Sequence, residues 1–254
     1  MGVYKIYFSP TGGTKKVSDI LAEGFSETAE TIDLCEYGKK FDEYSLNEKD
    51  ICIIAVPSFG GRVPAVAVER LKMIKGQGAK AVAVVVYGNR AYDDTLLELK
   101  EAVEEAGFKC MAAVTSVAEH SIMRQFAAGR PDKEDEKELK EFAEKIKEKL
   151  AEGKSEKSPV VPGNKPFVVY NGVPFKPKGS SECIKCGLCA AKCPVNAIPV
   201  NNPSETNVDM CISCMRCVSV CPKNARALNA DMIGAVAKKM EKAFEGRKKN
   251  ELFI

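Results

Sequence analysis

The sequence predicts an α/β domain with a doubly wound, five-stranded parallel sheet, followed by a small α+β domain that is rich in cysteine. Short apolar runs alternate with helical patterns over residues 1–152, which is typical of a parallel sheet with crossover helices. A Pro- and Gly-rich linker is predicted at 153–178. Most of the cysteines lie beyond it, in a domain predicted at 179–228, and residues 229–254 predict an amphipathic helix with a basic tail.

Five apolar runs of the first domain are rich in Val and Ile and short enough to be buried strands. They are Val3–Phe8, Thr31–Leu34, Ile51–Val56, Ala79–Tyr87 and Lys109–Val117. Helical patterns are found at Lys15–Glu27, Ala65–Lys75, Asp93–Ala106 and Pro131–Glu152. Ligands of doubly wound sheets bind beyond the carboxyl ends of the strands. The loops that leave those ends are therefore the candidate binding elements.

The loop after the first strand combines glycines and hydroxyl side chains at the start of a helix. Its residues are Ser9, Pro10, Thr11, Gly12, Gly13 and Thr14. Glycines let the backbone turn tightly and direct its N–H groups inward, and the helix N-terminus favours an anion. Phe8 stands where a Walker A loop needs its first Gly. Hydroxyls and backbone donors without an obligatory Lys suit a phosphomonoester; the alternative is a structural turn with a capping Thr.

The cysteine-rich domain contains the pattern C-x2-C-x2-C-x3-C-P twice, as an internal repeat. The first copy contains Cys183, Cys186, Cys189 and Cys193, and the second contains Cys211, Cys214, Cys217 and Cys221. This spacing holds cubane iron–sulfur clusters in bacterial-type ferredoxins, and eight thiolates suit two [4Fe–4S] clusters. Two zinc sites or a disulfide framework are the alternatives. Zinc motifs usually supply two Cys pairs per metal, and no signal peptide indicates an oxidising compartment.

A proline follows the fourth cysteine of each copy. Pro194 and Pro222 disfavour the α region for Cys193 and Cys221, so each of these cysteines leaves its loop in an extended direction. That direction favours the crossed ligation of two-cluster ferredoxins, in which the fourth cysteine serves the other cluster. We therefore predict one cluster on Cys183, Cys186, Cys189 and Cys221, and the other on Cys211, Cys214, Cys217 and Cys193.

The Ser9–Thr14 loop, on this architecture, resembles the flavodoxin phosphate loop [ST]-x-T-G-x-T, and the resemblance covers residues 1 to about 152. It implies bound FMN, with two further loops against the flavin ring. These loops are Pro57, Ser58, Phe59, Gly60, Gly61 and Arg62, and Tyr87, Gly88, Asn89, Arg90 and Tyr92. The chain has no Trp to stack on the ring, so Phe59 and Tyr92 are the candidates. Arg90 is basic where flavodoxins are usually acidic.

The whole chain resembles the flavodoxin–ferredoxin fusion proteins of anaerobic bacteria and archaea, which implies electron transfer. The first hypothesis is a relay of low-potential electrons between the two clusters and FMN, and on to a partner redox protein. The second is a flavin-dependent reductase of a small molecule, fed by its own ferredoxin domain, with His120 or Tyr92 as the proton donor. A third interpretation is a ferredoxin whose FMN site is vestigial. A covered flavin favours a carrier, and an open ring face favours a reductase.

Composition narrows the class of partner. A net charge of +3 gives no general argument for nucleic acid, and no apolar run approaches the roughly 20 residues that span a bilayer. We expect a cytoplasmic protein whose candidate partners are redox proteins, a small-molecule substrate and a second copy of the chain in a homodimer. The cations of the last segment form either a solvated face or a dock for an acidic partner. They are Lys238, Lys239, Lys242, Arg247, Lys248 and Lys249.

Overall fold

The computed structural model describes residues 2–152 and 157–254, so the first four residues of the predicted linker lie outside the described residues. The N-terminal part contains strands β1 (Val3–Tyr7), β2 (Glu30–Asp33), β3 (Ile51–Pro57), β4 (Lys80–Tyr87) and β5 (Lys109–Val117). Its helices are α1 (Gly13–Glu23), α2 (Ala65–Met73), α3 (Thr95–Glu105) and α4 (Lys133–Glu152). The predicted strands and helices are confirmed, with bounds that shift by a few residues.

The five strands pair in the order β2-β1-β3-β4-β5, and every pair is parallel. This is the doubly wound order of flavodoxin-like folds, which have their ligand-binding crevice where the strand order reverses, between β1 and β3. The sequence analysis missed a sixth strand, β8 (Glu251–Phe253), which pairs antiparallel with β5. Three residues are too few to show a period-2 pattern, so this strand was not predictable from hydrophobicity.

Helices cover the sheet on both faces. Helices α1 and α4 pack on one face, where Leu21 is fully buried, and α2 and α3 pack on the other, where Leu71 is buried. Successive side chains of a strand point to opposite faces. Ile53 therefore packs with α1 and α4, whereas Ile54 packs with α2 and α3. Burial on both faces explains why these strands are continuously apolar rather than alternating.

The cysteine-rich part has little regular structure of its own. It contains the two-residue strands β6 (Lys178–Gly179) and β7 (Arg226–Ala227), which pair antiparallel, and the single-turn helices α5 (Leu188–Ala191) and α6 (Arg216–Ser219), one in each copy of the repeat. Arg226 is fully buried and donates to the carbonyl oxygens of Pro203 (2.5 Å) and Pro177 (3.0 Å) and to the Thr206 hydroxyl. One guanidinium with several donors thus ties three loop segments together.

The linker packs on the first domain. Residues 157–177 contain no helix or strand. The Asp94 carboxylate accepts from the backbone N–H groups of Val168 (2.6 Å) and Asn164 (2.8 Å), and Arg62 donates to the Val168 carbonyl (3.0 Å). The hydrogen bond from Val168 lowers the pKa of Asp94, since it favours the charged carboxylate. These hydrogen bonds therefore hold the middle of the predicted extended linker against the first domain.

The C-terminal segment returns to the first domain. Helix α7 (Ala230–Met240) is capped by the Asn229 side chain, which accepts from the Met232 N–H (2.9 Å), and β8 follows after a 3₁₀ turn. Arg247, predicted as part of a basic tail, instead pairs with Asp132 (2.7 Å) and holds the pKa of that carboxyl well below its usual range. The prediction of a basic tail is thus wrong at its end, which forms a strand of the first sheet. No helix in residues 2–152 and 157–254 is long and apolar enough to cross a membrane.

Replacing Asn250 with Ala should loosen this C-terminal anchor. Asn250 is buried; its amide donates to Glu138 (2.6 Å) and Asp135 (3.0 Å) and accepts from the Val117 N–H (3.0 Å). Each buried group left without a partner costs about 1–3 kcal/mol. We expect a lower melting temperature and faster hydrogen exchange at the Val117 amide, measured by mass spectrometry. Exposed Asn201→Ala is the control; equal effects of the two changes would contradict the anchoring role.

Candidate cofactor sites

The eight cysteines of the repeat surround two small cavities of about 20 Å³ each. Cys183, Cys186, Cys189 and Cys221 line one, and Cys193, Cys211, Cys214 and Cys217 line the other. The fourth cysteine of each copy therefore lies with the first three of the other copy, as the sequence analysis predicted from the proline spacing. Within the described residues, no three His, Cys, Asp or Glu side chains converge on a point that suits one metal ion. Thiols around a volume, rather than around a point, suit a cluster.

The two cysteine loops have the same backbone conformation. Lys185 and Ser213 are equivalent in the repeat and have φ of 54° in both cases. Gly187 and its equivalent, Met215, also have positive φ (75° and 62°), although the left-handed region is unfavourable for a side chain as large as Met. The N–H groups of Ala197 and Ala225, again equivalent, donate to the sulfurs of Cys193 (3.2 Å) and Cys221 (3.3 Å). Such N–H···S bonds are one means of setting cluster potentials.

The Ser9–Thr14 loop lies at the carboxyl end of β1 and begins α1. Ser9 accepts from the Lys15 N–H (2.8 Å), and Gly12 adopts the left-handed conformation (φ 97°). Among the described residues, no acceptor pairs with the N–H groups of Thr11, Gly12 or Gly13. Unpaired N–H groups at a helix N-terminus form an anion site. A donor set of this kind fits a phosphomonoester.

A larger cavity, of about 220 Å³, lies beyond β3, β4 and β5. The loops after β3 and β4, which are predicted to lie against the flavin ring, contribute Ser58, Phe59, Gly60, Gly88 and Arg90. The loop after β5 contributes His120. The linker and α7 close it with apolar side chains, among them Tyr170, Phe175, Ile233, Val236, Met240 and Phe244. The Ser9–Thr14 loop does not line this cavity; a Cβ on Gly13 would lie 3.0 Å from the Ala118 Cβ, two residues before His120 in the chain.

Other predicted ring-loop residues do not line this cavity; they are Pro57, Gly61, Arg62, Tyr87, Asn89 and Tyr92. The Tyr92 hydroxyl donates to Glu251 of β8 (2.8 Å), and burial and this carboxylate raise the Tyr92 pKa. The predictions that Tyr92 donates a proton and that it stacks on the flavin ring are therefore wrong. Its true partner lies 159 residues away in sequence, on a strand that the sequence analysis missed.

Two of these residues instead bind the segments that cover the cavity, which are the linker and the C-terminal segment. The Asn89 side-chain amide donates to the carbonyls of Phe244 (2.7 Å) and Gly246 (2.8 Å), at the end of α7. Arg62 forms a two-pronged ion pair with Glu98 (2.8 and 2.7 Å) besides its bond to the linker. Both roles depend on contacts between distant segments, and no local pattern indicates them.

Gly60 and Gly61 form the tip of a two-residue turn. The N–H and C=O groups of Phe59 and Arg62 bond to each other across it (2.9 and 3.2 Å). Both glycines have positive φ (60° and 84°), as a type I′ turn requires. A Cβ on Gly60 would also overlap the Tyr170 ring. Glycine at 60 thus meets both a turn requirement and a close approach by the linker.

His120 lies in the cavity wall with its protonation state set by its surroundings. Its Nδ1 accepts from the backbone N–H groups of Met123 (3.0 Å) and Ile122 (3.1 Å), which leaves the proton on Nε2. Burial lowers the His120 pKa to about 4. The ring meets Phe244 edge-on, with centroids 5.3 Å apart. His120 is therefore suited to donate a hydrogen bond from Nε2, and not to act as an imidazolium acid near neutral pH.

Comparison with known proteins identifies the second domain. Residues 178–222 match the model of the 4Fe-4S dicluster domain family. No curated protein matches the chain. The C-terminal part is therefore an iron–sulfur domain, which gives the protein a redox role.

Solved structures align with the first part of the chain. A flavodoxin from the domain Archaea is 18% identical, with 59% of this chain and 99% of that chain covered and a TM-score of 0.41. A flavodoxin of Streptococcus pneumonia TIGR4 is also 18% identical; the alignment covers 59% of this chain and 99% of that chain, with a TM-score of 0.42. Rubredoxin oxygen:oxidoreductase from the anaerobe Desulfovibrio gigas is 20% identical; the alignment covers 59% of this chain and 37% of that chain, with a TM-score of 0.42. The strand order itself defines the first domain as flavodoxin-like. The chain thus joins a domain with the flavodoxin-like strand order to a part that matches the 4Fe-4S dicluster domain family over residues 178–222.

Gly60→Ala should displace Tyr170 and open the cavity to solvent. Gly172→Ala is a matched control, because Gly172 also has positive φ (78°) but has open space where a Cβ would go. Both changes carry a strain of about 1–2 kcal/mol. We expect only Gly60→Ala to raise hydrogen exchange over residues 167–172. In the Tyr170→Ala background, Gly60→Ala should add little to exchange; a full additive effect would exclude the steric explanation.

His120 should remain neutral as the pH is lowered from 7.5 to 5.5. Its pKa is depressed below the unfolded value, so the unfolded chain binds more protons between about pH 6.5 and 4, and stability falls as pH falls through that window. As the single histidine, it can be followed by the chemical shift of its labelled imidazole carbons. The shift should stay constant over this range, and titration near pH 6.5 would contradict the buried, acceptor-bound geometry.

Proposed function

We propose that the protein is an electron carrier that holds two [4Fe–4S] clusters and one FMN, passes electrons between them one at a time, and exchanges electrons with a partner redox protein. The observation that carries this proposal is the position of Ser213. It lies between Cys211 and Cys214, and it also lines the 220 Å³ cavity beyond β3, β4 and β5. A cluster on these cysteines and a flavin ring in this cavity would therefore share a wall within one chain.

The crossed cysteine sets are the proposed cluster ligands. The cavity beyond β3, β4 and β5 has a volume of about 220 Å³, below the usual range of about 300–1,000 Å³ for small-molecule sites, so it would take the flavin ring and not the whole of FMN. The free N–H groups of the Ser9–Thr14 loop would bind the FMN phosphate, with the Thr11 and Thr14 hydroxyls as further donors. When bound, FMN supplies a group that accepts one or two electrons, and the clusters supply one-electron centres.

The walls of the cavity favour a carrier over a reductase. Tyr170 of the linker and Val236, Met240 and Phe244 of the C-terminal segment would cover a bound ring with the chain's own apolar side chains. A reductase needs an open ring face for its substrate. His120 would give the ring a hydrogen bond from Nε2, and with a pKa of about 4 it is a poor source of protons for a substrate at neutral pH.

Anaerobic purification tests the proposal. We expect about eight iron atoms per chain, on the count of two cubane clusters, and about one FMN. Cys221→Ala should remove the cluster of Cys183, Cys186 and Cys189 and leave the other. Cys52→Ala is the control, since Cys52 is buried in the first sheet and away from both cavities.

Thr14→Val should lower FMN content and leave iron unchanged, because the loss of a hydrogen bond to a charged group costs about 1.5–3 kcal/mol. Iron, flavin absorbance and electron paramagnetic resonance after dithionite are the readouts. Bound zinc without iron, or a Cys221→Ala protein that keeps both clusters, would refute the cluster assignment. Full FMN in Thr14→Val would refute the phosphate site.

A further inference from the structure

The two copies of the cysteine repeat have the same backbone but different surroundings. The second copy packs on the first domain: Arg216 donates to the Ser9 carbonyl (3.3 Å) and pairs with Asp33 (3.4 Å), and the Ser219 hydroxyl donates to the Pro10 carbonyl (3.3 Å). This contact joins helix α6 to the phosphate loop and to the end of β2. The second copy therefore uses its cysteine-loop face as an interface within the chain.

Within residues 2–152 and 157–254, no contact of this kind covers the same face of the first copy, although the Pro194 carbonyl at the end of that copy accepts from Arg70 (2.5 Å). Ile184 is 59% exposed, whereas Ile212, its equivalent, packs against the core of the first domain. Cys186 is exposed, whereas its equivalent, Cys214, is only 8% exposed. Leu188, equivalent to Arg216, is 37% exposed. A symmetric motif thus presents one docked face and one free face.

We infer that the free face is the docking surface for an acidic one-electron carrier protein, and that electrons pass between this partner and the FMN in a fixed order of clusters. We call the cluster of Cys183, Cys186, Cys189 and Cys221 the outer cluster, and that of Cys211, Cys214, Cys217 and Cys193 the inner cluster. The outer face is the surface formed by Ile184, Lys185, Cys186, Leu188 and Lys223. This inference rests on the proposed function.

The charge of the outer face identifies the kind of partner. Lys185 stands where the docked copy has Ser213, and exposed Lys223 borders the outer cavity. The five residues of the outer face carry cations and apolar groups only. The nearest carboxylate in sequence is that of the exposed Glu182. The docked copy offers an example of complementarity, because its Arg216 is matched by Asp33 of a flavodoxin-like domain. An acidic surface with a central apolar patch would match the outer face in the same way.

The electron count is simple. A reduced partner loses one electron and the oxidised outer cluster gains it, with no bond made or broken and no proton moved. With both clusters bound, the outer cluster would return to its oxidised state by giving that electron to the inner cluster, and Ser213, between two of the cysteines that would hold the inner cluster, also lines the flavin cavity. In the opposite direction, each transfer is reversed.

Charge reversal tests the outer face. The probe is a small acidic [2Fe–2S] ferredoxin, reduced with dithionite and mixed with the loaded protein at low ionic strength in a stopped-flow instrument. Lys185→Glu/Lys223→Glu should lower the second-order rate constant at least tenfold and remove its decrease with salt, because steering by opposite charge is lost. Lys238→Glu/Lys239→Glu on α7 makes the same change of net charge on another exposed surface and should leave most of the rate.

Two further readouts separate this inference from the proposed function. Iron and FMN content must match the wild type in every variant, and photoreduced deazaflavin, a small uncharged donor, should reduce all variants at equal rates. A wild type that lacks clusters or FMN refutes the proposed function itself. A fully loaded Lys185→Glu/Lys223→Glu protein that keeps the ferredoxin rate, or slows no more than Lys238→Glu/Lys239→Glu, overturns the outer face as the dock.

Discussion

The arrangement of the candidate sites depends on one property of a parallel sheet: all its strands end at the same edge. Ser9, Ser58, Gly88 and His120 follow β1, β3, β4 and β5, so their loops meet there although they are distant in sequence. Such an edge carries unpaired N–H groups and loop backbone that must be covered or bound. In this chain the cover comes from the linker, α6 and α7, which all follow the five parallel strands in the chain.

This cover is fastened by polar groups that are themselves removed from water. Asp94 holds the linker, Asn89 holds the end of α7, and Asn250 ties the last strand to α4. A buried side chain that loses such partners is costly, so each contact favours the covered arrangement. The linker and the C-terminal segment of the same chain consequently form part of the cavity wall.

Local sequence patterns predicted the parts of the fold and of the sites whose cause is local. Cysteine spacing, the prolines after Cys193 and Cys221, and the glycines of the phosphate loop act on their immediate neighbours. The role of Tyr92 could not be predicted in this way, because its hydroxyl binds a carboxylate on a three-residue strand at the other end of the chain. The same reason applies to Arg247: a run of lysines and arginines reads as a solvated tail until Asp132 is placed beside it.

The repeat shows how one motif can serve two different tasks. Identical cysteine spacing gives equivalent residues of both copies the same positive φ, so the chain presents two similar sets of thiols. The residues between the cysteines differ: Arg216 and Ser219 bind the first domain, while Leu188 and Lys185 stay exposed at equivalent or neighbouring positions. Docking of the second copy buries Cys214, whereas its equivalent in the first copy, Cys186, is exposed; the equivalent Cys189 and Cys217 are both buried. Because burial and solvent access are among the factors that set cluster potentials, this asymmetry would give chemically identical ligand sets unequal potentials. A directional path between partner and flavin therefore needs no difference in ligands, only the docking of one copy of a repeat.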